Sequence, residues 1–291
     1  MSNYRPRIRS RHPSHAPLRT RGVLPWYPFR SVVRFGSTTE YKDSVTNGGN
    51  RVEVNTVQAV KNSSSKKLMK ECFTKAEVAT ADWFKARVAP NGEVTDFVQQ
   101  TNGEDAPVFV IADLPYPIIS KSYFGSRNQG NKKHDNAEEL AAWLKGKKLS
   151  NYLFEKYYNY SREYRLHITA KGCFYTCRKM LKADTEEKDK WYRNDAHCVW
   201  ILEENDSFDK PSNWDAVVAE SVKALNAVGL DFGAVDLRIQ SATHRCGKVR
   251  TEPKFIIVEI NSAPSFGTVT IEKYKNELAQ LILRKHGQTK K

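Results

Sequence analysis

Two short stretches near the C-terminal end carry oxygen donors in a pattern suited to a hard cation. In FIIVEIN (255–261), Glu259 and Asn261 are two residues apart, so an extended chain points both to one face. Ile256, Val258 and Ile260 then point to the other face, toward a core. In GAVDLRI (233–239), Asp236 shares a face with Ala234 and Arg238. If these strands pair, Asp236, Glu259 and Asn261 converge at one end. Mg²⁺ takes such oxygens, with substrate phosphates completing its shell, and Mn²⁺ is a chemically similar substitute. The competing reading is two amphipathic strands that show polar residues to water. A small-residue loop, Ser262 to Gly267, follows directly and suits close approach of a ligand or a plain turn.

A second group lies upstream. Lys121 ends an apolar extended segment containing Pro117, Ile118 and Ile119, and the loop from Gly125 and Ser126 to Gly130 follows. Such a loop can cover phosphates with backbone N–H groups while Lys121 supplies a point charge. It lacks the Lys-Ser/Thr pair of a Walker loop, and a surface hairpin is the alternative. Third, Glu155, Lys156 and Tyr157 precede Glu163 and Arg165. An extended 155–157 segment offers backbone donors and acceptors to a purine edge, and Glu163 offers a carboxylate to ribose hydroxyls. Arg165 and His167 share a strand face, and Arg178, Lys179 and Arg193 add positive charge. Each of these also fits a solvated strand face.

The elements that must position these groups follow from periodicity and punctuation. Short β-branched runs at 31–35 and 51–54 read as strands around a turn at Asn47, Gly48 and Gly49. Ser65 caps a helix over 66–76 with Leu68, Met69, Cys72 and Phe73 on one face. Asp135 with Glu138, and Ser212 with Asp215, read as capping boxes for helices ending at Gly146 and Gly229. Extended segments are expected at 108–111, 117–121, 152–157, 164–169, 172–178, 234–239 and 255–260, and a last helix at 271–284. This irregular alternation predicts an α+β fold.

The 291 residues include 47 Lys and Arg against 33 Asp and Glu, a net charge of +14. Residues 1–39 hold eight Arg and no acid. The stretch 1–21 shows no period and reads as a basic, flexible, disordered arm, either a solvated tail or a contact for a polyanion such as nucleic acid. A smaller basic tail occupies 285–291. No apolar run approaches the roughly 20 residues of a membrane span, which excludes a membrane protein. Absence of an apolar leader and an odd cysteine count, five, predict a reducing, cytoplasmic setting. Cys173 and Cys177 have zinc-like spacing but lack a second pair, so buried thiols are the expectation.

No single group is specific, but their order is. The stretches REYRLHI, GLDFGAVDL and IIVEINSAPSFG, with Lys121 and its glycine loop ahead of them, resemble the ATP-grasp superfamily over about 51–284. The resemblance is nearest to the carboxylate–amine ligase branch that includes ribosomal-protein glutamate ligases. It implies two α+β subdomains clasping ATP, here 63–150 and 151–284, after a truncated β-rich segment at 22–62. It implies that Lys66, or Lys67, meets the α-phosphate and Lys121 the α/β-phosphates, that Gly125, Ser126 and Gly130 belong to a loop closing on the triphosphate, that Glu155, Lys156 and Tyr157 line the adenine pocket, and that Glu163 binds ribose. Asp236, Glu259 and Asn261 would hold Mg²⁺. Arg165, with Arg178 or Arg193, would stabilise the transferring phosphoryl group. The implied activity is formation of an acyl phosphate from ATP and a carboxylate, followed by transfer to an amine. The alternatives are a nucleic-acid- or capsid-associated binding protein on the same fold, and a phosphotransferase.

Overall fold

The structure is a computed structural model that describes residues 2–123, 130–194, 196–244 and 246–288. It is α+β, as the sequence predicts, and is built on three sheets. The N-terminal layer is a parallel three-stranded sheet of β1 (Arg7–Arg9), β2 (Ser31–Arg34) and β3 (Val52–Val54). Two helices follow, α1 (Val57–Ser64) and α2 (Lys66–Lys75). The second sheet holds β4 (Trp83–Val88), β5 (Val94–Gln99), β6 (Val108–Phe109), β7 (Ile118–Ser122), β8 (Lys132–His134) and, after α3 (Ala137–Leu144), β9 (Tyr152–Lys156). Its order is β6-β5-β4-β9-β7-β8, antiparallel throughout. The third sheet comprises β10 (Arg162–Thr169), β11 (Gly172–Leu181), β12 (Cys198–Leu202), β13 (Phe232–Ile239) and β14 (Phe255–Asn261), in the order β12-β11-β10-β13-β14. Helix α4 (Trp214–Val228) precedes β13, and α5 (Thr268–Gln288) ends the described chain.

Period-2 alternation explains the third sheet. Tyr164, Leu166 and Ile168 of β10 and Val235, Leu237 and Ile239 of β13 are fully buried on one face. That face packs on α4 through Val217, Leu225 and Val228, and on α2 through Met69 and Phe73. The opposite face carries Glu163, Arg165, Asp236 and Arg238. Helix α2 starts where expected, with Ser65 accepting a hydrogen bond from the Leu68 N–H. Helix α4 stops at Gly229, whose φ of 78° lies in the left-handed region that terminates helices cheaply only with glycine.

Several expectations need correction. Residues 1–21 are not a disordered arm. Arg7, Ile8 and Arg9 pair with Val32, Val33 and Arg34, and a 3₁₀ turn over Pro13–Arg19 buries His15 and Leu18. Leu18, with Leu24, Tyr27 and Phe35, packs against Tyr274, Leu278 and Ile282 of α5. The physical reason is that strand pairing is made by backbone groups, so arginines on exposed positions do not prevent it. The basic tail at 285–291 is, through residue 288, the last turn of α5, where Lys285 pairs with Asp231 at 2.9 Å. The subdomain boundary at 150/151 cuts before β9, which belongs to the second sheet, while α2 packs in the core of the third. Both capping boxes shift. Asn136, not Asp135, accepts from the Glu139 N–H, and the Ser212 hydroxyl donates to the carbonyls of Arg250 and Thr251 instead of capping α4. The β4–β5 hairpin, β8, β12 and α1 add to the elements that the sequence pattern predicts.

Candidate active site

One cavity of about 810 Å³ lies between the second and third sheets, with the N-terminal layer at one end. It is lined by the start of α2, by β7, β9 and β10, and by β11 to β14 with the loop 262–265. Seven cationic side chains, Lys66, Lys121, Lys156, Arg165, Lys179, Arg193 and Arg238, line it against four carboxylates, Glu155, Glu163, Asp236 and Glu259. The excess of positive charge suits a polyanionic ligand.

The three oxygen donors do converge. Strands β13 and β14 pair antiparallel, with Asp236 opposite Glu259 and Ala234 opposite Asn261. The Asn261 amide nitrogen donates to Glu259 at 3.1 Å and to Asp236 at 3.4 Å. Directly beyond this pair the register shifts, so Leu237 faces Ile257 and Val258 is the extra residue. The bulge reverses the alternation that the sequence implies. Ile257 and Ile260 enter the core, and Ile256 and Val258 line the cavity instead. Bulges of this kind re-aim side chains, and here the re-aiming supplies an apolar wall beside the carboxylates.

Asp236 is buried and gripped by Arg165 through two hydrogen bonds of 2.7 Å. Burial alone would raise its carboxyl, but Arg165, with Lys179 beyond it, holds it below the usual carboxylate range. Arg165 stacks over the Trp200 ring at 4.9 Å, and Lys179 does so at 4.8 Å. Glu163 collects three cations: Arg238 at 3.0 Å, Lys179 at 3.3 Å and Arg193 at 3.8 Å.

Lys121 and Lys70 share one buried carboxylate, Glu155. Glu155 accepts from Lys121 at 2.5 Å and from Lys70 at 3.1 Å. Burial pushes its carboxyl up, yet the two lysines outweigh this and hold it ionised, below its ordinary value. Lys66, on the turn before Lys70, lines the cavity, and burial pushes its ammonium down while Glu259 across the cleft pulls it up.

Not every expected residue fits its expected task. The backbone N–H groups of Lys156 and Tyr157 are committed to Asp82 and Pro117 carbonyls at 2.9 and 2.8 Å, so they are not donors to a purine. Lys156 and Tyr157 still line the cavity by their side chains. Arg178 sits opposite Tyr164 on the helix-facing side and pairs with Asp209, away from the cleft. Its neighbour Lys179 faces the cleft in its place. Gly125 and Ser126 lie outside the described residues. Gly130, with φ 75°, precedes Asn131 on the cavity wall. Cys173 and Cys177 carry free thiols, and among the described residues no group of three His, Cys, Asp or Glu side chains forms a metal cluster. Sequence pattern alone assigns Lys179 only a share of positive charge and gives Lys70, Arg238 and Trp200 no task in the site. Two signals were available: Lys70 lies one helical turn after Lys66, and Lys179 has the strand parity of Glu163's cross-strand partner.

Comparison with solved structures places this architecture among ATP-grasp folds. D-alanine–D-alanine ligase from Bacillus anthracis, complexed with ATP, aligns over 89% of this chain and 80% of its own, with TM-score 0.56 and 14% identity. Carboxyaminoimidazole ribonucleotide synthase from Aspergillus clavatus, also complexed with ATP, aligns over 87% of this chain and 60% of its own, with TM-score 0.54 and 16% identity. The ATP-grasp ligase PsnB, complexed with a minimal precursor, aligns over 82% and 67%, with TM-score 0.50 and 14% identity. No protein-family model and no curated protein matches the sequence. The fold is therefore that of the ATP-grasp ligases.

Proposed function

We propose that this chain is an ATP-dependent carboxylate–amine ligase that binds the nucleotide in the cleft between its two larger sheets. The observation that carries the reading is the meeting of Asp236, Glu259 and Asn261 with Lys66 and Lys121 on one cavity. Two carboxylates and an amide oxygen are hard donors, so the donor set fits Mg²⁺ held by Asp236, Glu259 and Asn261. When bound, such an ion neutralises phosphate charge and polarises the transferring phosphoryl group.

The remaining work falls to the chain. Lys66 and Lys121 neutralise the phosphates of ATP. The substrate carboxylate oxygen attacks the γ-phosphorus, the bond to the bridging oxygen breaks, and ADP leaves with that electron pair. An acyl phosphate results. The amine nitrogen then attacks the carbonyl carbon, phosphate departs, and the amine proton passes to solvent. Both steps crowd anions together, so fixed cations are the main requirement. Arg165 is placed for this by its fork on Asp236, and Lys179, Arg193 and Arg238 are held toward the cleft by Glu163, which acts here as a positioning residue rather than as a ribose ligand. Tyr157 and the side chain of Lys156 contribute to the nucleoside wall. Trp191 and Trp200 line the cavity and limit water, which would hydrolyse the acyl phosphate.

Calorimetric titration with MgATP tests the site. Binding is expected in the unaltered chain and is lost in Asp236→Ala and Lys121→Ala. Unchanged affinity in both variants refutes the assignment. ADP release that depends on both a carboxylate and an amine separates a ligase from a phosphotransferase, which needs no amine.

A further inference from the structure

A second concavity, of about 720 Å³, lies beside β1 and is lined by Arg5, Arg7, Arg9, Arg19, Arg21 and Trp26. Two acids of the N-terminal layer are engaged by other arginines, Asp43 by Arg30 and Arg51 and Glu53 by Arg34. Among the described residues, no ion pair reaches the five arginines of the groove. Their guanidinium groups are nonetheless held in place. Arg5 donates to the Arg19 carbonyl, Arg19 to the Ser10 carbonyl, and Arg9 to the Tyr41 hydroxyl. Arg7 and Arg9 sit over the Tyr41 ring at 6.0 and 5.4 Å. Arg21 sits over the Trp26 ring at 5.9 Å, and five forks held in this way, with no ion-paired carboxylate among the described residues, form a surface that lacks its counter-charge.

The groove is close to the reaction cleft. Arg9 lines the groove and His12 lines the cleft cavity. Three residues of chain span at most about 11 Å. The approach is also fixed. His15 donates to the Pro264 carbonyl at 2.7 Å, and Ser14 accepts from the Phe266 N–H at 3.0 Å, which ties this segment to the loop after Asn261.

We propose that the groove binds an acidic peptide segment, and that a side-chain carboxylate of that peptide is the group activated in the cleft. This rests on the ligase reading above and names its substrate class. Guanidinium forks match carboxylates two bonds at a time. A peptide rich in Asp or Glu supplies both the groups that bind the groove and the group that reacts, and a few extended residues bridge the two. Single-stranded nucleic acid fits less well, because it is bound through successive aromatic platforms. The groove offers one exposed ring, Trp26, which is 48% exposed.

The test uses the full chain and a fluorescently labelled hexaglutamate peptide. Anisotropy at low salt measures its affinity for the unaltered protein and for the triple variant Arg5→Ala, Arg7→Ala, Arg21→Ala. All three residues are exposed, and urea unfolding checks that the variant keeps its stability. The triple variant is expected to bind hexaglutamate at least tenfold more weakly while its MgATP affinity, by calorimetry, is unchanged. Equal peptide affinity in both proteins overturns the proposal, as does an oligothymidylate that binds the groove more tightly than hexaglutamate. In the unaltered protein, hexaglutamate with MgATP and hydroxylamine is expected to yield hydroxamate. Peptide binding without hydroxamate, with MgATP still bound, overturns the substrate assignment. Absence of MgATP binding refutes the ligase reading separately.

Discussion

Acid should loosen the N-terminal layer through His15. This side chain is fully buried between Phe35 and Phe266. Its Nε2–H donates to the Pro264 carbonyl at 2.7 Å, which leaves Nδ1 to accept from the Ser10 hydroxyl at 2.6 Å. The neutral ring is thus satisfied on both sides. Burial pushes its pKa from 6.5 down to about 4, against the Pro264 bond that raises it, with His12 and Arg19 lowering it slightly further. Above pH 6.5 neither state is protonated, and the site keeps its full stability. Below 6.5 the unfolded chain takes up a proton that the folded chain refuses until about 4, so stability falls as pH falls. At about 1.4 kcal/mol per pKa unit, the loss from this site between about pH 7 and about pH 5 is roughly 2 kcal/mol. His134, held down at about 4, and His167, at about 3, add losses of the same sign. The variant His15→Gln isolates the first contribution, because an amide can still donate to Pro264 but cannot titrate. Urea unfolding followed by tryptophan fluorescence, at both pH values, is the assay. The unaltered protein should lose about 2 kcal/mol more than the variant between them. Equal losses would show that His15 is not the neutral clip described here.

Two further outcomes follow from the cleft. Glu155→Gln leaves Lys70, which is 1% exposed, without its carboxylate. A buried cation stripped of its partner costs about 3–5 kcal/mol, readable as a shifted urea midpoint, and Lys70→Met in the same chain should recover much of it. A loss below about 1 kcal/mol would contradict the burial of this triad. Arg178→Ala should leave ATP turnover within about twofold, because Arg178 faces Asp209 on the far side of the sheet, whereas Lys179→Ala should cut it by about tenfold or more. The reverse order would refute the strand parity assigned to β11.

What the sequence discloses here depends on which chain groups do the work. Strands β10 and β13 are legible because Tyr164, Leu166 and Ile168 alternate with Glu163, Arg165 and His167, and a one-residue slip would bury the charged set. The same logic brings Asp236 beside Glu259. It fails two residues on, because a bulge is a backbone event that leaves no mark in residue type, and Val258 and Ile257 exchange faces without any change in composition. Strand β1 fails for a related reason. A parallel pairing of three residues is held by N–H and C=O groups, and its arginines stay outside, so a stretch that reads as disordered by charge is ordered by its backbone and by Leu18. Lys70 is hidden differently. A lysine on the apolar side of α2 looks like a solvated charge until β7 and β9 bring Lys121 and Glu155 to it, and both lie more than forty residues downstream. Long-range ion pairs of this type are set by topology, and no local window contains them. The cleft is therefore readable in its donors, which follow strand parity. It is unreadable in the contacts that aim those donors, and Lys179 in place of Arg178 is what that difference costs in chemistry.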